Sequence, residues 1–342
     1  MFRFALPLIA AVTAFSTAAT AQAASADQEA WTAIGGALKA QAAGVTLPQT
    51  VATLSLSKSG EASQGGKGVD NYAQYLSQDG AIQATLYVYM PSLADASLAA
   101  YMTDRAIMER FGSKTRRTAY AAVPVAGAAR GAIRAVYDDA GDGALTTAAA
   151  FIHVGRWIVK LRITGPKERR LDVLAGLDGM VNALDFDQPS QVLNTSPASF
   201  ADCPEPDGPQ AQQSRARVST TAAAAFPSEA SAGLCVRGHV RTEEGAYEVL
   251  QQAGVKGGSV IVPMDDSGAV LTFDPAPGGQ GYQMSIHSIG QTDIYGVYDR
   301  VPNERQIAAM LEGKDPQTAS ARQTTHYAAN GVATVRSGAA AR

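Results

Sequence analysis

From Ile82 to Met90 the side chains alternate without a break. Ile82, Ala84, Leu86, Val88 and Met90 fall on one side, and Gln83, Thr85, Tyr87 and Tyr89 on the other. A period of two places successive side chains on opposite faces of a strand, so this stretch predicts a sheet with one covered face. Such a strand needs neighbours, and the sequence supplies them. Ala132–Asp138, Thr146–Val154 and Arg156–Thr164 read as three further strands. Gly155 marks the second reversal, which makes the three consecutive and antiparallel.

The first reversal, Asp138 to Gly143, carries Asp138, Asp139, Asp142 and Gly143 in the manner of a calcium loop. An EF-hand begun at Asp138 would need an oxygen ligand at its third position and a bidentate Glu at its twelfth. Ala140 and Ala149 stand there instead. Asp and Gly tolerate the backbone angles of tight turns, so the cluster reads as a turn and not as a metal site.

Helices fit between the strands. Asp27–Ala43 has Trp31, Ile34, Leu38 and Ala42 at helical spacing, with Gly44 to end it. After Pro91-Ser92 a helix runs to about Phe111 on the stripe Leu98, Tyr101, Met102, Arg105 and Met108, with Gly112 at its C-terminus. Pro166 opens another, whose apolar face is Leu171, Leu174, Leu177, Val181 and Leu184. Residues 27–187 therefore form an α+β domain, an antiparallel sheet packed against helices. Residues 188–241, rich in Pro, Ser and Ala, read as a linker. A second, smaller α+β region spans 242–335. It opens with a helix from Thr242 to Ala253, continues through a hairpin around Asp265–Gly268 and strands at Tyr282–Ile286 and Ile294–Tyr298, and ends with a helix from Pro302. Residues 336–342 read as a flexible tail.

Residues 1–26 have the form of a cleavable leader. Arg3 precedes the short apolar run Leu6–Phe15, and Ala21-Gln22-Ala23 and Ala24-Ser25-Ala26 both fit an A-x-A cut. The run is too short to span a bilayer, so no transmembrane anchor is expected once it is removed. The net charge of −3 gives no footprint for nucleic acid. Export to an oxidising compartment makes a Cys203–Cys235 disulfide the simplest reading of the two cysteines. Closing the loop of about 30 residues between them contributes about 3–4 kcal/mol in the chain-entropy model.

Catalytic signatures fail one by one. Ser55–Lys58 matches S-x-x-K but ends a strand and lacks its partner motifs. The stretch from Gly60 to Gly68 misses a glycine and the Ser/Thr of a phosphate loop, and there is no G-x-S-x-G. His153, His239, His287 and His326 lack zinc spacing. No catalytic residue, metal or cofactor is expected. One constellation remains as a candidate binding face: Tyr87 and Tyr89, then Arg134, His153, Lys160 and Arg162 on later strands. With registers aligned, tyrosines and positive charge would share one sheet face.

The order "AIQATLYVYM", a helix, "RGAIRAVYDD", "LTTAAAFIHVGRWIVKLRIT" and the closing helix "KERRLDVLAGLDGMVNAL" resembles the PsbP-like fold, named for a protein of the oxygen-evolving complex. The resemblance covers 27–187. It implies a non-catalytic binding or assembly module around an antiparallel sheet, and carries over no catalytic residue. The expectation is a periplasmic, non-enzymatic protein that binds a protein or cell-envelope component. The rival is a periplasmic hydrolase whose site is assembled between the two halves.

Overall fold

The computed structural model describes residues 30–63, 68–203, 209–214, 233–255, 257–276, 279–315 and 318–338. The expected leader and the extreme C-terminus, 339–342, lie outside them. Among the described residues, three antiparallel sheets and a few helices make an α+β fold. Strands β1 (Trp31–Ile34), β2 (Ala37–Ala40) and β3 (Val45–Pro48) form a small sheet. The first large sheet begins with β4 (Thr50–Val51), β5 (Leu54–Glu61), β6 (Asp70–Ser77) and β7 (Gln83–Tyr89). Helix α1 (Ala96–Arg110) intervenes before β8 (Arg116–Val125), β9 (Ala128–Asp139), β10 (Leu145–Val154) and β11 (Trp157–Pro166). The spatial order is β4-β5-β6-β7-β11-β10-β9-β8. Helix α2 (Arg170–Ala183) follows, and β12 (Asp185–Phe186) closes the small sheet against β3.

The second large sheet comprises β14 (Leu234–Arg241), β15 (Ala246–Gln252), β16 (Val260–Pro263), β17 (Val270–Pro275), β18 (Tyr282–Ser288) and β19 (Gln291–Tyr298). Short β13 (Gln213–Ser214) pairs with β19. After α3 (Glu304–Leu311), β20 (Gln323–Tyr327) and β21 (Ala333–Ser337) complete it. Asn303 and Gln306 cap α3 reciprocally. Among the described residues no helix is long and apolar enough to cross a membrane.

The expected meander β9-β10-β11 is present, with Val154 opposite Trp157 across Gly155-Arg156. Asp139, Gly141, Asp142 and Gly143 all have positive φ, so the acidic stretch turns the chain between β9 and β10. Helix α2 lays Val173, Leu177 and Met180 on the face formed by Ile82, Leu86, Leu161 and Ile163. Leu171, assigned to that apolar face from spacing, is 77% exposed.

Two expected helices are strands. Trp31 to Ala40 is a hairpin, because Gly35 and Gly36, both at positive φ, turn the chain where a helix would have to run on. Within 242–253, Ala246–Gln252 is β15, and its partner β14 falls in the stretch read as linker. Residues 336 and 337, read as tail, belong to β21.

Candidate functional site

Helix α1 lies between the two large sheets. Asp95 caps it by accepting from the Leu98 amide at 3.0 Å. Its small side, Ala96, Ala99 and Ala100, packs on Ile133, Ala149, Phe151 and Ile158 of the first sheet. Its larger side, Leu98 and Met102, packs on Leu234, Val236, Leu250, Ile261 and Val270 of the second. The sheet face expected to meet a partner is therefore covered from within the chain.

The candidate residues divide along that seam. Lys160 stands opposite Tyr87 on one side and Phe151 on the other, and Phe151 opposite Ile133. Tyr87, Tyr89, His153, Lys160 and Arg162 share this face, as the alternation requires, but Tyr89, His153 and Lys160 are buried and the others half-buried. Arg134 does not join them. It stands opposite Ala150, which pairs with Leu161, which pairs with Leu86, all on the α2 face. Its guanidinium meets Asp178 of α2 at 2.7 Å. Placing Arg134 correctly needs the register of three strand pairs, which alternation within one strand does not supply.

Lys160 reaches out of the first sheet to the β16–β17 loop. Its Nζ donates to the Asp266 carboxylate at 3.0 Å and to the Asp266 carbonyl oxygen at 3.1 Å. It also lies 5.7 Å from the Tyr87 ring centre and 6.0 Å from that of Phe151. Burial pushes the amine's pKa down, against the attraction of Asp266. Burial works against the charge of Asp266 too, but Lys160 holds its carboxyl below the usual range.

Beside this pair a cleft of about 160 Å³ opens between α1 and the loops of the second sheet. Tyr101, Met102, Arg105 and Glu109 form one wall. Glu244, Tyr247, Glu248, Met264, Asp265 and Asp266 form the other. Glu248 takes both the Tyr101 hydroxyl and the Arg105 guanidinium. Asp265 is held by the Ser267 and Ala269 amides at 2.9 and 3.1 Å. Among the described residues no Lys or Arg nitrogen lies within 4.0 Å of Glu109 or Glu244, although Arg105 attracts Glu109 from one turn earlier in α1. Carboxylates thus outnumber cations around an aromatic and methionine-lined floor. None of these residues was singled out from sequence as a site, since helix and hairpin loop are more than a hundred positions apart. The acidic pairs Glu243-Glu244 and Asp265-Asp266, each on a loop, were the available signal.

A second cleft, of about 450 Å³, lies at the other end of α1, between Asp95, Ser97 and His153 and the segment Leu193–Phe200. It brings a histidine, a carboxylate and serines to one place. The Asp95 carboxylate serves the helix cap, and Ser97 Oγ accepts from the Ser196 amide at 3.4 Å.

A hydrogen-bonded chain links the halves at Ser92, His287, Thr272 and Asp274. Thr272 donates to Asp274 at 2.8 Å, so it accepts from His287 Nε2 at 3.2 Å. That assignment leaves Nδ1 as acceptor for the Ser92 hydroxyl at 3.3 Å, with the Thr292 hydroxyl also 3.3 Å away and donating to Tyr327. The polarity resembles a serine relay, but Ser92 is 3% exposed and neither it nor His287 lines the two clefts. Burial, partly offset by Asp274, pushes the imidazole's pKa down and keeps the ring neutral.

Cys203 and Cys235 are joined by a disulfide that pins Ala201–Cys203 along β14. The acidic turn is engaged by cations. Asp138 accepts from Arg170 at 2.9 Å, and Asp139 from Arg116 at 3.0 Å and Lys167 at 2.5 Å. Among the described residues no group of three or more His, Cys, Asp or Glu is placed to hold a metal. The chain matches no protein-family model, and no curated protein matches it.

Proposed function

We propose that the chain is an exported, non-enzymatic protein that binds a cationic protein segment or envelope component in the acidic cleft beside α1. The observation that carries this reading is the charge of that cleft. No Lys or Arg nitrogen lies within 4.0 Å of Glu109 or Glu244 among the described residues, and these carboxylates stand beside Tyr101, Tyr247, Met102 and Met264, with Arg105 the one cation that attracts Glu109 from within the cleft. Carboxylates with aromatic and thioether surface suit an ammonium or guanidinium on an apolar stem. The leader sequence and the Cys203–Cys235 bond support a periplasmic setting. A PsbP-like module in the first half is supported by its strand–helix–meander–helix order.

The test is calorimetric titration with a lysine- and arginine-rich peptide and with its glutamate-substituted counterpart. The basic peptide should bind, and Glu109→Gln with Glu244→Gln should weaken it about tenfold or more. Equal affinity for both peptides, or no effect of the double substitution, would overturn the reading. The hydrolase alternative draws on the Ser92–His287–Thr272–Asp274 chain. It predicts that a fluorophosphonate labels Ser92 in the folded protein, whereas the binding reading predicts no labelling.

A further inference from the structure

Sheet edges expose unpaired amides and carbonyls, and natural proteins guard them by shortness, bulges or cover. Most edges of this protein are guarded so. β4 and β12 are two residues long and β1 four. β8 contains Pro124 and two register shifts. β14 is covered where Val236 exchanges hydrogen bonds with Ala201 and Cys203. β21 differs. It has no proline and no bulge against β20, all five residues are exposed, and among the described residues no strand pairs with its outer side. Val335 within it is 48% exposed, and Val332, just before it, 58%.

The hairpin carrying this edge is anchored. Tyr327 at the end of β20 is buried in the first-sheet core, and its amide donates to Gly290 at 2.9 Å. Arg156 of the β10–β11 turn lies over the Tyr327 ring at 5.9 Å.

The ladder fixes which groups face outward. The Ala328 amide donates to Val332 and the Gly338 amide to Arg322, so the even-numbered positions of β21 bond to β20. Ala333, Val335 and Ser337 therefore direct their N–H and C=O away from the sheet.

We infer that β21 pairs antiparallel with β21 of a second copy, about a two-fold axis through Val335. That register sets Val335 opposite Val335 and Ala333 opposite Ser337, so every outward-pointing backbone group of one strand meets its complement on the other. Arg336 then faces Thr334 and not a second arginine, which removes the like-charge contact that would oppose pairing. The contact is isologous, as a closed dimer requires, and it makes the second sheets of two molecules continuous.

The experiment is sedimentation equilibrium of the mature protein from about 1 µM to about 1 mM, the range suited to a weak dimer. The apparent mass should rise toward twofold. V335P removes an outward amide while leaving the β20 bonds intact, and it should remain monomeric with an unchanged circular dichroism spectrum. V335C should form a disulfide-linked dimer on mild oxidation, because residues paired across narrow antiparallel positions lie about 5.5 Å apart at Cα. V332C, at a still more exposed position but far from the axis, should not. A wild-type mass that stays monomeric across the range overturns the inference. So does a V335P protein that still dimerises, or V332C linking as fast as V335C. Should V335P fail to fold, the comparison of the two cysteine variants decides.

Discussion

Removing either member of the Lys160–Asp266 pair breaks the same contact, yet the two substitutions differ in cost. Asp266→Ala leaves an ammonium inside the seam, where the Lys160 side chain is 7% exposed. Stripping the partner from a fully buried ion pair costs about 3–5 kcal/mol. Two features lower that figure here. The Asp266 side chain is 40% exposed, so water already weakens the pair. Lys160 Nζ also keeps the residue-266 carbonyl, at 3.1 Å. We therefore expect about 2 kcal/mol for Asp266→Ala. Lys160→Met keeps an unbranched chain against Tyr87 and Phe151 and returns Asp266 to solvent, at about 0–1 kcal/mol. Urea unfolding followed by tryptophan fluorescence reads both, since Trp31 and Trp157 are buried in the first core. A pH series adds a second check. With its folded pKa below the unfolded value of about 10.4, Lys160 binds fewer protons when folded, so Asp266→Ala should regain stability as pH rises from 7 toward 10. The reasoning is refuted if Lys160→Met proves the more damaging change, or if Asp266→Ala shows no recovery at high pH.

Leu161→Ala, at a site 1% exposed beneath α2, should cost about 2–5 kcal/mol in the same melts. His287, held neutral by burial, binds fewer protons folded than unfolded. Stability should be full above about pH 6.5 and decline as pH falls below it, and His287→Gln should flatten that decline in thermal melts. Replacing Cys203 and Cys235 with serine should cost about 3–4 kcal/mol of unfolding free energy, from the loop their separation of 32 closes. Millimolar calcium and chelator should give coincident melting curves, because Asp138 and Asp139 are already held by Arg170, Arg116 and Lys167.

The sheet was legible where one strand carried its own pattern. Ile82–Met90 and the β10–β11 hairpin needed only period two and a glycine turn. The reading failed where two periods fit the same letters. Trp31, Ile34 and Leu38 suit a helix, but Trp31 opposite Ala40 and Ala33 opposite Leu38 suit a hairpin, and Gly35-Gly36 decides for the latter. The two-sided character of α1 was half visible. Leu98 and Met102 stood out, whereas the alanines that meet the first sheet looked unremarkable because their contribution is closeness and not bulk. The acidic cleft showed in the sequence only as the loop pairs Glu243-Glu244 and Asp265-Asp266, since it exists only once Glu109 and Glu248 are brought together by packing.

Helix α1 has a consequence for the order in which the chain acquires its structure. As the chain is delivered from its N-terminus, the strands of the first sheet and α2 are all present by Phe186, and α1 can settle its alanine side at once. Leu98 and Met102 must wait for Leu234 to Val270. During that interval a nearly finished half-molecule carries a bare apolar ridge, the kind of surface that aggregates or recruits a chaperone. A fragment ending near residue 187 would be arrested in that state. The two halves share α1, so the seam between them can close only once the strands from Leu234 to Val270 are present.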